Sequence, residues 1–302
     1  MLETRLLPPN VEYEEVACDL CGSDDLVVWA KARGNSLSRC RQCGLVFTNP
    51  RIKHASDKDR LLYSSSYFSQ KSRMTQKLIA ARQTSYLAEI KSLERLKAGG
   101  KILDVGCGMG LFLHCFDKTW EKYGCDVSSF AVEEAGRRGI RAFHGEFEAL
   151  DFADQRFDVI YFRASLQHVY SPRACLDKAC RLLNSKGVVA ITMSPNADGL
   201  CGRLFRGHVR SYEQPHNYMF SPTTLGRYLK STGFEILETS QPYFGTGYES
   251  WRDFVDLPIS YAKYLWLAAT DRRSVPGTFD FASPPFYGNY VNILGKKVPD
   301  AV

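Results

Sequence analysis

The sequence lacks a long hydrophobic run and any stretch typical of an export signal. Its longest dense apolar run, Tyr264 to Ala269, is far shorter than the roughly 20 residues that a membrane-spanning helix needs. The first 17 residues are acidic and contain Pro8-Pro9, which the hydrophobic core of a signal peptide would not tolerate. These absences predict a cytoplasmic protein without a membrane segment.

Internal repeats and low-complexity segments are also missing, and 44% of the 302 residues are hydrophobic, which is enough for a sizeable core. The net charge of +6 is modest but unevenly distributed. Residues 1–30 hold seven acids and one base, whereas residues 31–77 hold eleven bases and two acids. A basic stretch of this kind is one way in which proteins neutralise the phosphates of nucleic acids.

The chain divides into stretches of different character. Residues 1–50 are marked by cysteine and glycine and predict a small zinc-ribbon element. Residues 51–98 are basic and predict a helical linker or lid, in which six apolar residues suggest one buried stripe: Leu78, Ile79, Tyr86, Leu87, Ile90 and Leu93. Residues 99–302 form the main domain, with an aromatic-rich insert at 241–288.

Short apolar runs alternate with helical segments in the main domain, which predicts an α/β fold with a mainly parallel sheet. The predicted strands are 101–105, 123–127, 140–144, 157–162, 187–193, 234–239 and 290–295. The predicted helices between the early strands are 110–117, 129–138 and 172–183, and a further helix begins at Ser221-Pro222, an N-cap followed by an N1 proline.

The segment from 241 to 290 holds thirteen aromatic residues, 26% against 13% for the chain. So much aromatic surface has to be covered. A lid over a substrate pocket, an interface between two copies of the chain and a plain subsidiary core each account for it.

A glycine-rich turn carries the strongest chemical signal. A predicted buried strand ends at Asp104, and Gly106, Gly108 and Gly110 follow. Glycine lets the backbone turn tightly and approach a ligand without a Cβ in the way. The first turn of the next helix then presents backbone N–H groups that lack partners within the helix.

Two classes of ligand use such a turn. Dinucleotide-binding proteins favour GxGxxG, which would require glycine where this chain has Leu111. Asp104 before the turn would repel a pyrophosphate, but it suits a ligand with an α-amino group and a sulfonium. The next predicted strand ends in Asp126, which is placed to accept hydrogen bonds from ribose hydroxyls. The pattern therefore favours S-adenosylmethionine over NAD.

With these residues the chain resembles the class I S-adenosylmethionine-dependent methyltransferases, in particular a bacterial group with an N-terminal four-cysteine zinc ribbon. The resemblance runs from Cys18 to about Phe234. It rests on Asp104-Val-Gly-Cys-Gly-Met-Gly, Asp126-Val-Ser, Gly145-Glu-Phe-Glu, Leu166-Gln-His-Val, where the group usually has Glu-His-Val, and His216-Asn-Tyr-Met-Phe-Ser.

The resemblance implies a Rossmann-like sheet of seven strands whose last strand is antiparallel, with the ligand at the carboxyl ends of the strands. It implies a set of cofactor-binding residues: Asp104, Gly106, Cys107, Gly108, Gly110, Asp126, Val127, Ser128, Glu146, Phe147, Arg163 and Tyr67. Tyr67 belongs to an aromatic group that would close over the cofactor or merely pack a surface helix. Arg163 would pair with an acidic substrate or with Asp158.

Two CxxC pairs, Cys18/Cys21 and Cys40/Cys43, are separated by eighteen residues and are each followed by glycine. This spacing is typical of two knuckles that close on one tetrahedral zinc ion. Four thiolates leave no position for water, so such a zinc is structural. Disulfides and an iron–sulfur cluster are the alternatives.

Two histidines are candidates for the general base that an acceptor hydroxyl needs. His168 follows the fourth strand of the sheet, where related small-molecule methyltransferases can carry such a base. His216 begins the His-x-x-x-Phe-Ser segment. Each has a structural alternative, His168 as a helix cap or cofactor support and His216 as a loop anchor. The other four histidines are interpreted as structural.

Three functions compete. The first is an enzyme of biosynthesis that methylates a small molecule, most readily a hydroxyl of a sugar or natural-product intermediate. The second is a ribosomal or transfer RNA methyltransferase that uses the zinc ribbon and residues 31–77 to bind nucleic acid. Against it, the fourth strand ends in Arg163-Ala-Ser rather than Asn-Pro-Pro-Tyr. The third is a non-catalytic module, and the intact Asp104 and Asp126 argue against it.

Overall fold

The computed structural model describes residues 11–32, 35–54, 76–209, 212, 216–246, 249–270 and 282–299, with side chains for all of these except 32, 35 and 76–81. The predictions for Tyr67 and for about half of the basic segment 31–77 lie outside these residues. Among the helices described, none is long and apolar enough to cross a membrane.

The N-terminal part forms five short strands: β1 (Tyr13–Glu14), β2 (Leu26–Ala32), β3 (Asn35–Cys40), β4 (Val46–Thr48) and β5 (Arg51–Ile52). Strands β2, β3 and β4 pair antiparallel, and β1 pairs with β5. Few side chains of this small sheet are apolar and buried. Leu45 and Phe47 are fully buried, and they join the main hydrophobic core rather than a separate one.

The remaining strands follow the predicted alternation: β6 (Gly100–Val105), β7 (Trp120–Asp126), β8 (Arg141–His144), β9 (Phe157–Arg163), β10 (Leu183–Pro195), β11 (Tyr218–Met219), β12 (Phe234–Ser240) and β13 (Tyr290–Lys297). All of these except β11 form one sheet in the order β12-β13-β10-β9-β6-β7-β8. The final strand β13 is antiparallel to both of its neighbours. The seven-stranded sheet with an antiparallel last strand is confirmed.

Seven α-helices are described: α1 (Gln76–Glu94), α2 (Leu111–His114), α3 (Ser129–Arg137), α4 (Pro172–Leu182), α5 (Leu200–Phe205), α6 (Pro222–Ser231) and α7 (Arg252–Thr270). Three of them begin at a serine whose hydroxyl accepts a hydrogen bond from a backbone N–H three residues later, namely Ser128, Ser171 and Ser221. Such caps satisfy a donor that the helix itself cannot. The predicted start at Ser221-Pro222 is confirmed.

The helix after the glycine turn is shorter than predicted. It ends at His114 instead of continuing to residue 117, because the N–H groups of Cys115 and Phe116 donate to carbonyls three residues back. The Asp117 carboxylate then accepts from the backbone N–H of Thr119 at 2.8 Å and stabilises a turn.

One prediction for the stripe of helix α1 is wrong. Tyr86, Ile90 and Leu93 are buried, but Leu87 is 56% exposed. Position 87 faces away from the sheet because Glu89 and Tyr86 occupy the inward face. Leu78 and Ile79 lie among the residues whose side chains are not described.

The aromatic insert is built around helix α7. One face of α7 packs on a cluster that includes Phe205, Val209 and Met219, and this face carries Leu257, Tyr261, Tyr264 and Leu267. The subsidiary-core interpretation therefore holds for this face. The opposite face of the helix is exposed.

Candidate active site

The glycine turn after β6 has the conformation that its sequence predicts. Gly106, Gly108 and Gly110 have φ angles of +79°, +53° and +75°, in a region that residues with a Cβ rarely adopt. A Cβ at Gly106 would lie 2.7 Å from the Cβ of Ser165, and a Cβ at Gly110 would overlap Ile140. Both the backbone conformation and the lack of space therefore require glycine here.

Asp126 at the end of β7 holds this turn in place. Its Oδ2 accepts a hydrogen bond from the N–H of Gly108 at 2.8 Å, and its Oδ1 accepts from the N–H of Ser128 at 3.0 Å. Its carbonyl accepts from the N–H of Gly145, the first residue after β8. The half-buried carboxylate thus stands at the carboxyl end of the sheet between two loops.

Asp104 lies deeper in the same region. Its side chain is 2% exposed, and among the described residues its Oδ1 has no hydrogen-bond partner. Burial raises the pKa of this carboxyl to about 8; the positive Arg163 opposes the rise, and the negative Asp126 and Glu89 add to it. A buried carboxyl without a donor nearby fits a ligand that brings positive charge.

Arg163 at the end of β9 is bound by Glu89 of helix α1. The guanidinium donates from Nη2 to Glu89 Oε1 at 2.8 Å and from Nε to Oε2 at 3.2 Å. Tyr161 and Thr192 also donate to Oε2, at 3.0 and 2.8 Å. A carboxylate with this many donors, whose side chain is 8% exposed, fixes α1 to the ends of two strands.

The predicted pairing of Arg163 with Asp158 is wrong. Asp158 lies near the start of β9, where it accepts from the backbone N–H of Lys101 at 2.9 Å and from Asn184 at 3.1 Å. The two ends of β9 are too far apart for the side chains of Arg163 and Asp158 to meet. Glu89 is the functional candidate that the sequence interpretation missed, although an acid between the stripe residues Tyr86 and Ile90 was the available signal.

The segment after β8 contributes one half-exposed acid and one core residue. The Glu146 carboxyl is half-buried, and burial, with the nearby Glu148 charge, raises its pKa. Phe147 is 3% exposed and packs against Phe152 and Phe162 at ring-centroid distances of 5.8 Å. The structure therefore places Phe147 in the core, whereas the Glu146 side chain is partly exposed.

Cys107 is buried below the turn as well. Its sulfur occupies the space above Gly124, where a Cβ would lie 2.6 Å from it. The Cys107 side chain thus packs the turn on β7. Ser128 likewise uses its hydroxyl as the N-cap of α3.

The two histidine candidates come together. His168 ends the single 3-10 turn Leu166–His168 after β9, and His216 precedes β11. Their ring centroids are 4.6 Å apart at an interplanar angle of 69°. His216 is 9% exposed and His168 is half-buried, so the pair lines the carboxyl end of β9.

Asn217 fixes the relative position of the two histidines. Its N–H donates to the carbonyl of Gln167 at 2.8 Å, and its Nδ2 donates to the carbonyls of His168 and Val169 at 3.1 and 2.9 Å. Gln167 is 2% exposed, and among the described residues its Oε1 accepts no hydrogen bond. The histidine pair therefore stands beside a buried acceptor that a ligand donor would satisfy.

The small N-terminal sheet beside the four cysteines, called the ribbon below, is attached directly to this segment. Strand β11 pairs antiparallel with β4, and the Thr48 hydroxyl donates to the His216 carbonyl at 2.6 Å. Asp19, between the cysteines of the first knuckle, accepts from Ser171 at 2.6 Å and from Tyr228 at 2.9 Å. The ribbon is therefore joined to helices α4 and α6 as well as to the histidine segment.

The four cysteines meet at one point. Their sulfurs all lie within 4.8 Å of one another, with 3.4 Å between Cys18 and Cys43 and 3.5 Å between Cys21 and Cys40. All four are free thiols, since a disulfide needs about 2.05 Å between sulfurs. The N–H of Gly22 and of Gly44 each donate to the carbonyl of the first cysteine of the knuckle. Four thiols at this separation fit a tetrahedral metal ion.

Comparison with known proteins decides the family. The Methyltransferase domain family matches residues 77–239, more than half of the chain. The chain belongs to this family. The match begins in α1 and ends in β12, so it contains the glycine turn, both carboxylates and the histidine pair.

Relatives of the methyltransferase include enzymes of known name. It is 32% identical to phosphoethanolamine N-methyltransferase 1 of Triticum aestivum over 152 residues, which cover 46% of this chain and 29% of that one. It is 25% identical to the ubiquinone biosynthesis O-methyltransferase of Azorhizobium caulinodans over 191 residues, 57% of this chain and 73% of the other. The chain thus spans under a third of the wheat enzyme's length.

A solved structure shows the same fold as the methyltransferase. This is a S-adenosylmethionine-dependent methyltransferase of Thermotoga maritima, described as a possible histamine N-methyltransferase. It superposes with a TM-score of 0.52 at 21% identity, over 77% of this chain and 97% of that one. At this identity the similarity establishes the Rossmann-like methyltransferase fold.

Proposed function

We propose that the protein transfers a methyl group from S-adenosylmethionine to a hydroxyl of a small-molecule acceptor, a sugar or a natural-product intermediate. The observation that carries the proposal is the convergence of two carboxylates and two histidines at the carboxyl ends of β6, β7 and β9. Asp104 and Asp126 would hold the cofactor, and His168 and His216 would face the acceptor.

The residues of the turn fit this cofactor. Asp126 would accept from its ribose hydroxyls, and the buried Oδ1 of Asp104, which has no partner among the described residues, would face its positive charge. When bound, S-adenosylmethionine supplies a methyl group that its sulfonium already activates. The protein then has to align the acceptor and to exclude water.

His168 would take the proton of the acceptor hydroxyl. It follows Ser165, whose Cβ lies against Gly106 of the cofactor turn, so this loop connects the turn to the base. The His216 ring, 4.6 Å away, would hold the His168 ring in position. Neutral imidazole is the form that accepts a proton.

A histidine variant tests this role. For His168→Ala we expect turnover to fall on the order of 100-fold or more, with the affinity for S-adenosylmethionine unchanged in calorimetry. His54→Ala is the matched control because His54 is exposed on the ribbon and pairs with Glu12. Wild-type turnover in His168→Ala would reject the base, whereas loss of cofactor affinity would make His168 a support of the cofactor.

An amine acceptor is the second candidate, because the wheat relative is named an N-methyltransferase. A panel of nucleotide sugars, phenols and phosphoethanolamine, assayed for formation of S-adenosylhomocysteine, separates the two. Asp126→Asn should abolish every signal, and Asp154→Asn, which changes an exposed acid of a loop, should preserve it. Turnover of the amine alone would replace the hydroxyl proposal.

RNA is a weaker candidate because the bases of residues 31–77 are largely neutralised where they are described. Four of them pair with acids: Arg39 with Asp198, Arg41 with Asp25, Arg51 with Glu14 and Lys53 with Glu12. Cations that are paired in this way contribute less to phosphate binding. RNA binding that weakens steeply between low and physiological salt would favour the RNA function.

The four cysteines are proposed to bind a structural Zn²⁺. The four sulfurs would fill its coordination sphere, so the ion would stabilise the ribbon and take no part in the chemistry. Metal analysis of the purified protein should give one zinc per chain, and iron in its place would favour the iron–sulfur alternative.

A further inference from the structure

The outward face of helix α7 is an apolar stripe that nothing in the described chain covers. Large side chains recur at helical spacing along this face and at the residue just before the helix, and they are between 49% and 73% exposed: Trp251, Phe254, Val255, Ile259, Leu265 and Trp266. The opposite face of the same helix is packed on the core. A surface helix of a monomer normally presents polar residues to water, so the stripe calls for a partner.

The stripe continues beyond the helix. The Phe244 ring lies 6.5 Å from Phe254 and 5.4 Å from Tyr287, and Phe244 and Tyr287 are 57% and 42% exposed. With side-chain areas of 150–250 Å² for aromatic residues, the exposed part of this surface amounts to roughly 800 Å². This exceeds the largest apolar patch of a typical monomer, about 300–600 Å², and equals what one partner buries in an ordinary stable interface.

We propose that this surface is the interface of a symmetric homodimer in which two copies of α7 pack antiparallel. The charges of the helix fit such a pair. Asp256 and Lys263 are both exposed and lie seven residues apart, so about 10 Å of helix axis separates them within one chain. In an antiparallel pair centred between Ile259 and Ser260, Asp256 faces the partner's Lys263, and the symmetry repeats the contact.

A membrane surface fits the same stripe less well. Helix α7 carries two acids and two bases, so its net charge is zero. Helices that bind anionic membranes carry an excess of lysine and arginine beside their apolar face. A second copy offers Asp256 and Lys263 one opposite charge each, which a lipid surface does not.

Sedimentation velocity of the full chain tests the proposal. The protein should be a dimer at micromolar concentration, and Ile259→Asp should convert it to a monomer. Asp256→Lys should weaken the dimer on the order of tenfold, since it sets lysine against lysine twice. Adding Lys263→Asp to Asp256→Lys should restore the wild-type dimer. The control Glu133→Lys makes the same charge change at an exposed position of α3 and should have no effect.

Three results would overturn the proposal. A wild-type monomer at these concentrations excludes the interface. A dimer that the double charge exchange fails to restore has a different geometry or a different surface. Co-sedimentation with vesicles of phosphatidylcholine and phosphatidylserine, abolished by Ile259→Asp, assigns the stripe to a membrane. Loss of the dimer itself lowers the melting temperature, so an unchanged far-ultraviolet circular dichroism spectrum of each variant separates these results from misfolding.

Discussion

Asp104→Asn should stabilise the cofactor-free protein and weaken its affinity for S-adenosylmethionine. Burial, opposed by Arg163 and assisted by Asp126 and Glu89, raises the pKa of the Asp104 carboxyl to about 8. The same carboxyl in an unfolded chain has a pKa of about 3.9. A difference of about four pH units corresponds to a free energy on the order of 5 kcal/mol.

The sign of the effect follows from proton binding. Because the native carboxyl holds its proton more tightly than the unfolded chain does, its contribution to the free energy of unfolding is fully present below about pH 4 and is lost as the pH rises to about 8. Asparagine resembles the protonated carboxyl and has no charge to bury. The stability of Asp104→Asn should therefore exceed that of the wild type by an amount that grows between about pH 5 and pH 8.

Urea unfolding of both proteins across this pH range is the assay. The exposed Asp154→Asn variant should follow the wild type at every pH. A difference between Asp104→Asn and the wild type that does not change with pH would refute the reasoning, because it would show that the carboxyl is ionised in both states or in neither.

Cofactor binding gives an independent measurement on the same residue. A bound sulfonium and ammonium favour the ionised form of Asp104, so binding near neutral pH should release up to one proton. Calorimetry in two buffers with different ionisation enthalpies measures this release. The wild type should release the proton, and Asp104→Asn should not. Equal proton release in both proteins would assign it to another group.

Three further perturbations follow from the contacts described. Glu89→Gln should lower the free energy of unfolding by about 3–5 kcal/mol, since it leaves the buried Arg163 charge without its carboxylate. The control Glu94→Gln changes an exposed position and should not lower it. Equal urea midpoints for the two variants would contradict this prediction. Gly110→Ala should lower thermal stability and cofactor affinity together because its Cβ would overlap Ile140, and an unchanged affinity would show that the turn adapts. Removal of metal by a chelator should lower the melting temperature and turnover, and added Zn²⁺ should restore both. Full turnover of the metal-free protein would show that activity does not depend on the metal in the ribbon.

The sheet was predictable because its signal is local. Runs of apolar residues bounded by glycine or by charged residues mark each strand, and the seven strands occur where the runs are. The turn from Gly106 to Gly110 was predictable for the same reason, since positive φ angles and close packing both demand glycine there.

The side-chain network around the site was not predictable from local pattern. Glu89 and Arg163 are 74 residues apart in sequence, and only the position of α1 against the sheet brings them together. Phe147 belongs to the segment that was expected to bind the cofactor, yet its ring is buried in the hydrophobic core. The meeting of His168 and His216 likewise depends on β11 pairing with the ribbon, a contact between distant parts of the chain.

The pairing of β11 with β4 has a practical consequence for work on this enzyme. A chain shortened to its methyltransferase domain would lack β4, the strand that pairs with Tyr218–Met219. The backbone hydrogen-bonding groups beside His216 would then be unpaired. An unpaired sheet edge can pair with strands of other molecules. Such a fragment should therefore aggregate, and His168 and His216 should lose their relative position. The N-terminal ribbon should therefore be kept in every preparation, because it contacts the segment that carries His216.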